Sequence, residues 1–154
     1  MDYISLDQVL PELAEEIYVI TASRGNGGLP SGDYGLVEMY CRDPDCDCRR
    51  VFLSVVSSRL KKSIAVIVFG WESKNFYAEW FGADESYLRR DPDLLDRLKG
   101  PCLNSCSPQS KYAAEALRAV SETALKDRAY IEVLKRHYKL FKRKVKETPY
   151  NVDD

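Results

Sequence analysis

The chain has 154 residues, 45% of them apolar and 31% charged, with a net charge of -1, which is the make-up of one folded, water-soluble domain. That length buries about two thirds of the surface of the unfolded chain, so no disulfide framework is needed, and the near-zero charge singles out no partner. The acidic opening Met1-Asp2-Tyr3-Ile4-Ser5-Leu6-Asp7 lacks the basic start and apolar run of a signal peptide. No apolar stretch approaches the ~18 residues of a membrane span, so the expected location is the cytoplasm, away from membranes.

The leader carries Leu6, Val9, Leu10, Leu13 and Ile17 at helical spacing, but Pro11 interrupts it, which predicts a short helix starting near Pro11. Residues 23–35 read as a loop, with Gly25, Gly27, Gly28, Gly32, Gly35 and Pro30 breaking regular structure. No Gly-Lys-Ser/Thr follows those glycines, so they do not form a phosphate-binding loop.

Four short runs rich in Val, Ile, Phe, Tyr and Trp, at 34–41, 49–57, 63–69 and 75–81, predict an antiparallel meander, since their connections are too brief for crossover helices. The run Ile64-Ala65-Val66-Ile67-Val68-Phe69 is apolar on both faces and reads as a central strand. The aromatics Trp71, Phe76, Tyr77, Trp80 and Phe81 are read as core or cross-strand pairs. A short helix is expected at 92–98, between Asp91-Pro92 and Lys99-Gly100-Pro101.

Two helices close the chain. Ser107-Pro108 starts the first, which carries Ala113, Leu117, Val120 and Ala124 on one face up to Leu125. Asp127 caps the second, which runs to Lys146 before Thr148-Pro149. Its apolar arc holds Tyr130, Ile131, Leu134, His137, Tyr138, Phe141 and Val145, against Arg128, Lys135, Arg136, Lys139, Lys142, Arg143 and Lys146 on the other side. The expected fold is therefore α+β: one domain over 1–154 with a four-stranded antiparallel sheet, a β-rich part at 34–81, and helices of 107–146 packed on one face.

The ends differ in charge. Residues 1–16 carry Asp2, Asp7, Glu12, Glu15 and Glu16 with no Lys or Arg, whereas residues 126–146 carry nine Lys or Arg against Asp127 and Glu132. Either the leader lies against the last helix in the same molecule, or the basic helix meets an acidic partner, nucleic acid included.

The main chemical signal is Cys41-Arg42-Asp43-Pro44-Asp45-Cys46-Asp47-Cys48-Arg49-Arg50, which gathers three of the five cysteines. An odd count in a reducing compartment disfavours full disulfide pairing and favours metal or redox roles. A turn at Asp43-Pro44 brings Cys41 near Cys48, and thiolates at such spacing suit zinc, with Arg49 and Arg50 offsetting their charge. The candidate ligands are Cys41, Cys46, Cys48 and, on the apolar arc, the only histidine, His137; Cys102 or Cys106 is the alternative fourth. The acids Asp43, Asp45 and Asp47 do not form an EF-hand loop, because Cys48 and Ser54 stand where glycine and glutamate are required.

Cys41-x-Asp43-Pro44-x-Cys46-Asp47-Cys48-Arg49-Arg50-Val51, Pro108-Gln109-Ser110-Lys111-Tyr112-Ala113 and Leu134-Lys135-Arg136-His137-Tyr138 resemble blocks of an uncharacterised bacterial protein family, over residues 34–146. Some of its members are associated with cysteine-rich metal-binding motifs, and the resemblance implies no enzymatic activity. The functional expectation is a zinc-stabilised binding or adaptor domain with a protein partner. The alternatives are nucleic-acid binding by the last helix, and a thiol enzyme using Cys46 or Cys48 with His137 as base.

Overall fold

The computed structural model describes residues 2–23 and 28–147. Its architecture is α+β, with an antiparallel sheet of six strands rather than four. The strands are β1 (Tyr3–Ser5), β2 (Tyr18–Ala22), β3 (Gly32–Cys41), β4 (Arg50–Ser57), β5 (Lys62–Gly70) and β6 (Cys102–Leu103). Strands β3, β4 and β5 form the centre, β6 lies on the outer edge of β5, and β1 and β2 share the far edge of β3. The leader is thus mostly strand and turn. Its regular pieces besides β1 and β2 are α1 (Leu6–Val9) and a 3-10 turn at Pro11–Leu13. Residues 24–27 of the expected glycine-rich loop lie outside the described residues, and the loop's expected end is already strand from Gly32.

The expected fourth strand is a helix, α2 (Lys74–Phe81). Phe76, Tyr77, Trp80 and Phe81 recur at one-, four- and five-residue offsets, a helical and not an alternating pattern. Ser73 Oγ accepts the Phe76 N–H at 3.2 Å, and Gly82 ends the helix at φ 80°. Helices α3 (Glu85–Arg90) and α4 (Leu94–Lys99) follow. Next, α5 (Ala113–Glu122) starts later than Ser107 predicts, because the preceding residues serve the sheet. Gln109 accepts the Val66 N–H and donates to the Val66 carbonyl, and the Ser110 hydroxyl donates to the Ile64 carbonyl.

The last helix, α6 (Arg128–Glu147), matches its expected span, and Asp127 accepts the Ala129 N–H at 3.0 Å. Residues 148–154, including Thr148-Pro149, lie outside the described residues. Along β3 the inward positions are Tyr34, Leu36, Glu38 and Tyr40, all buried. Glu38 and Tyr40 meet α6, Glu38 through His137 and Tyr40 with its ring on Phe141 and its hydroxyl near the Leu134 carbonyl. Helix packing is not confined to that face. Arg50 leaves β4 on the side opposite Val51 and lies over Trp80 of α2 and against the Leu98 carbonyl of α4.

Candidate functional site

Residues 42–49 join β3 to β4 and form a tightly fastened loop. Asp43 opens it: its carboxylate accepts the Asp45 N–H at 3.0 Å and its carbonyl accepts the Cys46 N–H at 3.2 Å, a local turn around Pro44. Arg49 closes it in the left-handed region, at φ 48°. A non-glycine residue is held there at a cost of about 1–2 kcal/mol, so its neighbours must over-determine it. They do: the Arg49 N–H donates to the Tyr138 hydroxyl at 3.2 Å, and the Tyr77 hydroxyl donates to the Arg49 carbonyl at 2.8 Å. The Arg49 side chain pairs with Asp47 and Glu72 and covers the Phe76 ring.

Helix α6 holds the other end. Lys142 donates to the Cys41 carbonyl at 2.6 Å and to the Asp43 carbonyl at 2.9 Å. Sequence periodicity placed Lys142 on the solvated basic face, but it is only 9% exposed. It sits beside Phe141 and Val145 at the rim of the apolar arc, where a long stem can lie on the core while the ammonium reaches the loop carbonyls.

This scaffold gathers three of the predicted site residues. Cys41 and Cys48 are fully buried and hydrogen-bonded to each other through their thiols, and half-buried Cys46 contacts both. None of the five cysteines is in a disulfide. The Cys41 hydrogen bond brings the Cys48 thiol down to about 5 against the opposing effect of burial, helped by the Tyr3 hydroxyl at 3.4 Å and by the N–H and charge of Arg50. Cys41, the donor, is pushed up by the same bond and by burial, and Cys46 is raised by burial and by the charge at Cys48. Of the three thiols, Cys48 is the one whose surroundings favour the thiolate.

Arg50 is the counter-charge. Its guanidinium is buried, donates to the Leu98 carbonyl and the Tyr3 hydroxyl at 3.2 Å each, and has no carboxylate partner among the described residues. Its Nε is buried without a hydrogen-bond partner among the described residues.

His137 is fully buried, as its place on the arc predicts, but carboxylates engage both ring nitrogens. Nδ1 lies 2.8 Å from Glu38 Oε1, and Nε2 lies 2.6 Å from Glu16 Oε2. Glu38 also accepts the Tyr40 hydroxyl at 2.6 Å, and Glu16 also pairs with Arg136 at 3.1 Å. The fourth-ligand role expected of His137 therefore has no open nitrogen, and the base role in a thiol mechanism meets the same obstacle. Of the alternatives, Cys102 has its sulfur on the Arg97 carbonyl at 3.6 Å, and Cys106 is exposed. Among the described residues no group of three or more His, Cys, Asp or Glu side chains stands arranged to hold a metal ion.

Sequence reasoning missed Glu38, although its signal was present: an acid at the inward position of the alternating row Tyr34, Leu36, Glu38, Tyr40. It also missed the loop-fastening roles of Tyr3, Tyr77 and Tyr138. Of the two readings of the end-to-end charge difference, the intramolecular one has a contact, since Glu16 of the leader pairs with Arg136 of α6. Among the described residues no helix is long and apolar enough to cross a membrane. Comparison with protein-family models, curated proteins and solved structures finds no match to this chain.

Proposed function

We propose that the loop of Cys41, Cys46 and Cys48 holds a zinc ion, and that the domain acts as a binding or adaptor module rather than an enzyme. The observation that carries this reading is the convergence of three thiols on a loop fastened from β1, α2 and α6, with Cys48 already acidified. Zinc takes thiolate sulfurs at ~2.3 Å and compensates their charge, and Arg50 supplies a further positive charge beside them. The buried pair Cys41 and Cys48 is the fixed part of the site. Cys46, on the half-exposed turn, would close in on the ion, leaving the fourth position to solvent or to a donor from a partner.

The contact between two buried thiols, one of them acidified, favours a second reading: a redox pair. Hydrogen peroxide would oxidise Cys41 and Cys48 to a disulfide, the two thiols giving up two hydrogens and the peroxide leaving as two waters.

Elemental analysis of protein purified without added metal, with melting curves before and after chelation, separates the two. About one zinc per chain, lost together with stability on chelation and absent from Cys46→Ser, is the expected result. Metal-free protein of unchanged stability ends the zinc reading. A mass loss of two hydrogens on peroxide treatment, absent from Cys41→Ser, would then establish the redox pair.

A further inference from the structure

His137 joins three parts of the fold at a point apart from the thiols themselves: β3 through Glu38, α6 through its own backbone, and the leader through Glu16. Its two ring nitrogens face two carboxylates, which are acceptors only, so both contacts are hydrogen bonds only when both nitrogens carry hydrogen. A neutral imidazole has one N–H, and its other nitrogen presents a lone pair. Such a lone pair at 2.6 Å from Glu16 Oε2, or at 2.8 Å from Glu38 Oε1, is repelled.

The two carboxylates differ in what release costs. Glu38 is 4% exposed and also accepts the Tyr40 hydroxyl, so losing the imidazole would strand a buried anion. The Glu16 side chain is 45% exposed and has Arg136 and water as other partners. The remaining N–H therefore stays on Nδ1 with Glu38, and Glu16 is the contact that breaks.

Glu16 is also the polar fastening of its segment. Residues 11–17 run from the 3-10 turn toward β2 over a recess of about 210 Å³ lined by Leu6, Leu13, Glu16, Ile17, Leu36 and Glu38. Beyond Glu16 the segment is held by apolar side chains, and Ile17 is 43% exposed. We propose that Glu16, His137 and Glu38 form a proton-operated latch: the doubly protonated imidazole fastens residues 11–17 to α6, and loss of the Nε2 proton frees Glu16 and opens this segment over the recess.

The titratable and charged groups around the imidazole are consistent with that order of events. From β3 come Glu38 and Tyr40, from the leader Glu16, and from α6 Arg136 beyond Glu16 and Tyr130, whose buried hydroxyl has no hydrogen-bond partner among the described residues and feels Glu38. Asp7 of α1 lines the same recess. Burial alone would pull His137 down; the hydrogen bonds and charges of Glu38 and Glu16 outweigh it and hold the imidazole above its ordinary value.

Because His137 is the only histidine, nitrogen NMR of the full chain reads one imidazole. The expected result is two protonated ring nitrogens at pH 6, with a midpoint above the ordinary histidine value of 6.5. The amides of Ala14 and Glu16, bonded to the Pro11 and Leu13 carbonyls, report the segment by hydrogen exchange. Above the midpoint their protection factors should fall by up to tenfold per pH unit, the limit for one linked proton. In Glu16→Gln the midpoint should drop and the protection of Ala14 should lose its pH dependence, whereas Arg136→Met should keep both features. An imidazole already neutral at pH 6, or wild-type protection that ignores its titration, overturns the latch.

Discussion

Tyr138 grips the strained residue Arg49 from the last helix: its hydroxyl accepts the Arg49 N–H at 3.2 Å and donates to the Asp47 carboxylate at 3.0 Å. One side-chain oxygen thus serves both the amide and the acid that flank Cys48. The ring completes the grip through T-shaped contacts, its centroid 5.2 Å from that of Trp71 and 6.1 Å from that of Tyr40. The left-handed turn at Arg49 and the placement of Cys48 are therefore properties of α6 as much as of the loop.

Tyr138→Phe tests this directly, since the ring and its packing stay and only the hydroxyl goes. A part-buried N–H and a carboxylate lose a partner, which costs about 1–3 kcal/mol. Urea denaturation should show that loss with an unchanged slope, and Cys46 and Cys48 should react faster with a thiol reagent. Wild-type stability together with wild-type thiol reactivity would remove Tyr138 from the account of the loop.

The opposite grip comes from Tyr77, and it depends on Gly70. A Cβ at Gly70 would lie 2.1 Å from the Tyr77 hydroxyl and 2.5 Å from its ring carbon, so any side chain there evicts the donor to the Arg49 carbonyl. Gly70→Ala should cost at least about 2 kcal/mol, by overpacking and by a lost hydrogen bond. Gly82→Ala is the control: at φ 80° with nothing within 4 Å, it should cost only the backbone strain, about 1 kcal/mol. Equal losses in the two variants would refute the close-approach argument.

What the sequence made legible follows from period and length. The alternation of β3, the apolar run of β5 and the arc of α6 are long and regular, and each is found where expected. Over 75–81 the aromatic richness predicts a strand, but the cap at Ser73 and the left-handed Gly82 bound a helix there. The three-residue β1 is too short to carry a period, yet it brings Tyr3 to Cys48. For the site, the cysteines were legible through their spacing, whereas the partners of His137 were not. Glu16 and Glu38 lie 121 and 99 residues from it in sequence, and only the sheet's topology joins them.

Global stability should depend on pH from both sides of that junction. His137 is raised in the folded state, so its contribution is complete below the ordinary value of 6.5 and is lost as pH rises through the raised value. Glu16 is lowered, chiefly by the His137 hydrogen bond, so its contribution is complete above 4.5 and is lost as pH falls through the lowered value. Melting temperature should therefore crest between those two limits. Glu16→Gln should lower the crest and flatten both shoulders, and an unchanged profile in that variant would separate Glu16 from the stability of the fold.

Lys142 and Lys139 lie three residues apart on α6 and separate a structural lysine from a solvated one. Lys142 Nζ satisfies the carbonyls of Cys41 and Asp43 from a 9% exposed position, whereas Lys139 is exposed. In Lys142→Met the stem's packing is retained and two charge-assisted hydrogen bonds are lost. The expected destabilisation is about 1.5–3 kcal/mol, offset in part because a cation no longer has to be desolvated. Lys139→Met should stay within about 0.5 kcal/mol of wild type. If the loop holds zinc, Lys142→Met should also release the metal faster to a chelator, because the turn carrying Cys41 and Asp43 loses its fastening, whereas Lys139→Met should not. Matched stability and matched zinc release in the two variants would return Lys142 to the solvated basic face.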